Sequence, residues 1–124
     1  MEAKNYVTGT NDLIEKETGK EYTGELTPSE FDKLKVQNPD ITTMVIPVDR
    51  QFTGYAVGYF KKVDRALMSA YLSMSDEIEK KAMLLNATFL TGDRRILEND
   101  IMFFSACIEA DSMVSFPKGF SVTL

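Results

Sequence analysis

At Asp64 the apolar residues change their spacing, and that change divides the chain into two kinds of structure. Before it, residues 41–48 are rich in β-branched side chains. Residues 54–60 place Tyr55, Val57 and Tyr59 on one side of an extended chain and Ala56, Gly58 and Phe60 on the other. The link Asp49-Arg50-Gln51-Phe52-Thr53 is short enough to make the two a hairpin with an irregular turn. Pro47 cannot donate to a ladder, so it points to an edge or a strand end. After Asp64 the period is helical. Ala66, Leu67, Ala70, Tyr71 and Met74 form one stripe, and Ile78, Ala82, Leu85 and Phe89 form the next. Strands followed by helices define an α+β class, and two strands alone are marginal, so helices must cover the hairpin.

Local signals place the boundaries. Thr27-Pro28-Ser29-Glu30 is a helix start with a cap, a proline at the first position and a glutamate that closes a capping box. Asn38-Pro39 ends that helix, because the residue before proline avoids the α region. Asp76 and Glu77 open an acid-led helix after a break at Ser73-Met74-Ser75, as the macrodipole favours. Thr91-Gly92-Asp93 reads as its stop, with Gly92 suited to a left-handed cap. Ile96 and Leu97 form a short apolar turn, and Asn99-Asp100 caps a last helix running to about Val114. The expected architecture is an N-terminal helix, a β-hairpin and about three helices packed on it, all within a single domain over residues 26–124. Residues 1–25 are polar and read either as a mobile arm or as an extended segment that pairs with something. Tyr6, Val7, Leu13, Ile14 and Tyr22 are its apolar anchors.

The side-chain inventory excludes much chemistry. There is no His, so triads and His-based zinc sites cannot form within one chain. The single Cys107 makes no internal disulfide, and its apolar neighbours favour an inert, packed thiol. Gly54-Tyr55-Ala56-Val57-Gly58 lacks the lysine and helix start of a phosphate loop. The net charge of -5 disfavours binding to a duplex, which requires an excess of Lys and Arg. No apolar run suits a signal peptide or a membrane span, so the expected location is cytoplasmic, with no membrane and no nucleic acid among the partners. Carboxylates at Asp76, Glu77, Glu79, Asp93, Glu98, Asp100 and Glu109 are the remaining reactive material. They support an alternative, a carboxylate-dependent metal-binding protein or small enzyme. Helix caps and solvated faces account for the same residues, so no metal or other cofactor is expected.

The apolar surplus points elsewhere. Phe104 and Ile108 share one face of the last helix, while Phe103, Cys107, Ala110 and Val114 share another. A helix apolar on two faces is either central or pressed against a partner. The seven Met residues suit an adaptable apolar surface as well as a core. Leu85, Phe89, Phe103 and Phe104 are therefore the candidate partner-binding residues of a non-catalytic protein, one also expected to form a homo-oligomer.

The second half carries an order of features that resembles a known group. Tyr59-Phe60-Lys61-Lys62 leaves a strand, and Leu67-Met68-Ser69-Ala70 lies in the next helix. A helix then ends Leu84-Leu85-Asn86-Ala87-Thr88-Phe89-Leu90. Thr91-Gly92-Asp93, Ile96-Leu97-Glu98-Asn99-Asp100 and Phe103-Phe104 follow. Over residues 55–114 this resembles small proteins encoded among the tail genes of long-tailed bacteriophages and prophages, some of them regarded as tail assembly chaperones. Lys62-Val63 replaces the basic-proline lead into the first helix, and the segment after Val114 is not a charged helix. The resemblance implies a protein that shields apolar segments of a tail protein during assembly.

Overall fold

The structure, a computed structural model, describes residues 5–124. In chain order the elements are β1 (Tyr22–Thr23), α1 (Pro28–Gln37), β2 (Ile41–Pro47), β3 (Tyr55–Lys61) and α2 (Arg65–Ser73). After them come α3 (Glu77–Thr88), β4 (Phe89–Gly92), α4 (Arg95–Glu98), α5 (Asp100–Ala110) and a 3₁₀ turn over Asp111–Met113. The fold is α+β, with a mixed four-stranded sheet.

The helix starts fall where short polar side chains can satisfy free backbone donors. Thr27 and Glu30 form the reciprocal capping box of α1. Asp64 accepts from the Leu67 amide at 2.8 Å to open α2, Asp76 from Glu79 at 2.8 Å to open α3, and Asn99 from Met102 at 3.2 Å to open α5. Among the described residues, no helix is long and apolar enough to cross a membrane.

β3 is the centre of the sheet. β2 pairs with it antiparallel from Ile41 opposite Lys61 to Pro47 opposite Tyr55. Its other edge is shared. β1 runs parallel beside Tyr55 and Ala56, and β4 runs antiparallel beside Gly58 to Phe60. The handover occurs at the Val57 carbonyl, which accepts from the Asp93 amide at 2.9 Å. Both strands leave that point through glycine. Gly24 has φ +91° and Gly92 φ +126°. A Cβ on Gly24 would lie 2.7 Å from the Val57 oxygen, and one on Gly92 would overlap that oxygen and sit 2.8 Å from the Gly58 Cα. No other residue type lets three backbone segments approach so closely.

Because β3 is sandwiched, its alternation sorts side chains into two cores. Ala56 and Phe60, with Met44 and Ile46 of β2, face the helices, where Tyr71, Leu84, Leu85, Ile96, Met102, Ala106, Ala110 and Met113 complete the larger core. Val57 and Tyr59 face the other way and are covered by Val7, Tyr22, Leu26, and Phe31 and Leu34 of α1. The sheet is thus covered on both faces, not on one.

That second layer draws on residues before 26. Residues 1–4 lie outside the described residues. Residues 5–16 form a small hairpin in which the Val7 amide donates to Ile14 and the Lys16 amide to Asn5. Val7 is buried, and the Tyr59 hydroxyl donates to the Thr8 carbonyl at 2.9 Å while accepting from the Leu26 amide at 3.2 Å. Lys16 and Glu25 form an ion pair, and Glu25 also accepts from the Thr8 amide. Val7 and Tyr22 therefore anchor the segment, whereas Leu13 and Ile14 are exposed. The helix expected to continue through Phe89 stops at Thr88, and residues 89–92 enter the sheet instead.

Candidate functional site

α5 is positioned by its small residues and by an ion pair at its end. Met102, Ala106 and Ala110 recur at four-residue intervals and are buried against β2 and α3. Two alanines on that line let the helix come close to the sheet. Its C-terminal end is fixed through the 3₁₀ turn. Asp111 pairs with Lys81 of α3, whose ammonium also lies 5.4 Å from the Tyr71 ring centre. Burial is the largest influence on Lys81 and works to lower its pKa. The hydrogen bonds to Asp111 and Tyr71 outweigh it, so the ammonium is held above its usual range.

The four candidate residues do not form one surface. Leu85 is fully buried in the larger core, so it cannot meet a partner, and its place in the set is corrected. The reason is that α3 lies against β3 as well as α5. Phe89 is half-buried at the start of β4, edge-on to Phe60 at 5.5 Å between ring centres, with the Arg94 guanidinium 5.6 Å from its ring. Phe103 is half-buried beside the core. Only Phe104 projects, with half of its surface in water. Phe103 and Phe104 touch, 5.6 Å apart, and so join the rim of the core to the outer face.

Ile108, already read as sharing the face of Phe104, was left out of the candidate set, and Ile101 was missed. Ile101 and Ile108 lie three residues before it and four after it on α5, and both are exposed, Ile108 by 72%. At 100° per residue these three point away from the line of Met102, Ala106 and Ala110. The outer face of α5 is thus a bare apolar stripe about two turns long. The signal was present in the sequence, since the alanines mark which face packs and the isoleucines fall opposite. α5 is not a central helix, and of the two alternatives for a doubly apolar helix its outer face is left open. The methionines do not extend this stripe. Met44, Met102 and Met113 are buried, and Met68 and Met83 pack against the core.

Asp76, Glu77 and Asp93 are engaged structurally. Asp76 caps α3, and Glu77 pairs with Lys80 at 3.0 Å. Asp93 is nearly buried, accepts from the Arg95 backbone amide at 2.9 Å and is gripped by the Arg95 guanidinium at 2.6 Å. Burial is the largest influence on Asp93 and would raise its pKa. The Arg95 hydrogen bonds reverse that and hold the carboxyl below the usual range. Among the described residues no group of three or more carboxylate or thiol side chains is placed to hold a metal ion. Burial pushes the Cys107 thiol up, which makes it a poorer nucleophile.

The chain matches no protein-family model, and no curated protein and no solved structure matches it.

Proposed function

We propose that this is a non-catalytic binding or assembly protein that holds an apolar segment of another protein against the outer face of α5. The observation that carries the reading is the alignment of Ile101, Phe104 and Ile108 on a helix whose opposite face is already packed. A groove-seated partner helix would meet such a stripe through anchors of matching spacing. Covering the three side chains would contribute roughly 1–2 kcal/mol each, enough for reversible association. The likeness of residues 55–114 to phage and prophage tail-region proteins supplies the setting. The partner would be a tail component kept from aggregating in the cytoplasm, and the chain would act as a tail assembly chaperone.

The test is an affinity capture from the native host, repeated with Phe104→Glu and Ile108→Glu. Both positions are exposed, so the fold should survive, which circular dichroism checks. Loss of the captured protein in both variants supports the reading. Capture at wild-type yield by both would reject this surface.

A further inference from the structure

Among the described residues no strand lies beyond β2, and its outer edge has no backbone partner. The inner side of β2 carries an unbroken ladder to β3, from Ile41 to Pro47. Outside helices and ladders, no backbone hydrogen bond among the described residues involves positions 41–47. Natural edge strands are commonly protected by charged residues, bulges, proline or brevity. β2 has seven residues, none charged, and its pairing shows no irregularity. Pro47 removes a donor only at the last position.

The same chain carries a segment with the complementary deficiency. After Val114 the backbone makes no further hydrogen bond and forms no element. Within residues 120–124, Phe120, Val122 and Leu124 alternate with Ser121 and Thr123, the pattern of a strand covered on one side. All three apolar residues stand in water, Phe120 with 98% of its surface. Phe116, at the root of this tail, lies beside α2 near Val63, Met68 and Leu72. Pro117 and Gly119 then separate it from the strand-like end. Within one chain the open edge and the unpaired strand remain apart.

We propose that residues 120–124 of one copy add as a strand to the outer edge of β2 in a second copy. The added strand would satisfy the outward β2 backbone groups that lack a partner and bury Phe120, Val122 and Leu124 along one face, with Ser121 and Thr123 toward water. A two-fold dimer makes the exchange reciprocal, since each chain offers one edge and one tail. This assembly is independent of the α5 stripe.

The test uses the full chain and measures mass against concentration by sedimentation and light scattering. A concentration-dependent dimer is expected, and deletion of residues 118–124 should leave only monomer. A sharper readout comes from Ser121→Pro and Val122→Pro made singly, each measured against alanine at the same position so that the lost side chain is not counted. Successive amides of a strand point to opposite edges, so one proline removes a ladder donor and the other does not. One variant should weaken the dimer about tenfold or more and the other far less. All these positions are exposed, so the monomer fold is not at risk. A chain monomeric at every concentration overturns the proposal. So does a dimer that survives the deletion, or one indifferent or equally sensitive to the two prolines. Protection of the outward-facing β2 amides, those not bonded to β3, that persists in the diluted monomer would mean that the tail folds onto its own chain, and it too would overturn the exchange.

Discussion

Replacing Gly92 by alanine tests the idea that β3 holds its two short neighbours through backbone crowding at Val57. At φ +126° a residue with a Cβ is strained, at a cost of about 1–3 kcal/mol. The new methyl would overlap the Val57 oxygen and lie 2.8 Å from the Gly58 Cα, both of them main-chain atoms that cannot rotate away. β4 must therefore move outward, which lengthens or breaks the 2.9 Å bond from the Asp93 amide to Val57, worth about 1 kcal/mol. The sum is a destabilisation of about 2–4 kcal/mol, or a fall in Tm of about 10 °C for a domain of this size. Urea unfolding followed by far-ultraviolet circular dichroism measures it. Gly24→Ala meets the same carbonyl from the β1 side and should behave alike. Gly119→Ala, with no neighbour within 4 Å, should change stability by less than about 0.5 kcal/mol. If Gly92→Ala lies within about 1 kcal/mol of the parent protein, crowding at Val57 is not what shapes this edge.

Three further expectations follow from particular residues. Leu85→Ala should destabilise the fold by about 2–5 kcal/mol in urea titrations, as truncation of a fully buried leucine does; a loss below about 1 kcal/mol would return Leu85 to the surface. Asp93→Asn should cost about 1–3 kcal/mol at neutral pH. Because the folded carboxyl titrates below its unfolded counterpart, the gap between variant and parent should close as pH falls through the acid range, and a gap constant with pH would refute the Arg95 pairing as its source. Tyr59→Phe should cost about 1–3 kcal/mol by leaving Thr8 and Leu26 without partners. Burial pushes Tyr59 up to about 12, so an unfolded tyrosine ionises first and stability falls with rising pH up to that value. The phenylalanine variant should lack this contribution, and identical alkaline profiles would contradict it.

Local chemistry made much of the fold legible. Thr27, Asp76 and Asn99 cap the helices whose starts they mark in the sequence, because the capping contact spans only three residues. The faces of β3 follow from alternation alone. The strand at Phe89–Gly92 was hidden because Phe89 lies four residues after Leu85 and so continues a helical stripe. What draws it into the sheet is the vacancy that β1 leaves beside Gly58 to Phe60, a partner some thirty residues away. Gly92 was recognised as needing a positive φ, but for a close crossing, not a helix cap. Similar remoteness hid the layer over Val57 and Tyr59, since a polar stretch with few anchors gives no sign of where it will dock. Among the site residues, Leu85 and Phe104 are equally apolar in sequence. Only the placement of α3 against β3 decides that one is core and the other surface.

The shared edge of β3 also bears on how the protein emerges from the ribosome. When residue 61 has appeared, the hairpin and β1 can form, and Val57 and Tyr59 already have their cover. Met44, Ile46, Ala56 and Phe60 do not, because every side chain that packs on them from the helices comes after residue 64. Half the edge beside β3 also waits for residues 89–92. A nascent chain would therefore display an apolar sheet face for more than thirty further residues of synthesis, a few seconds at ordinary elongation rates. The second half of the chain thus works first as the lid on its own first half, and ribosome-bound intermediates ending between residues 61 and 89 are where aggregation or chaperone capture should concentrate.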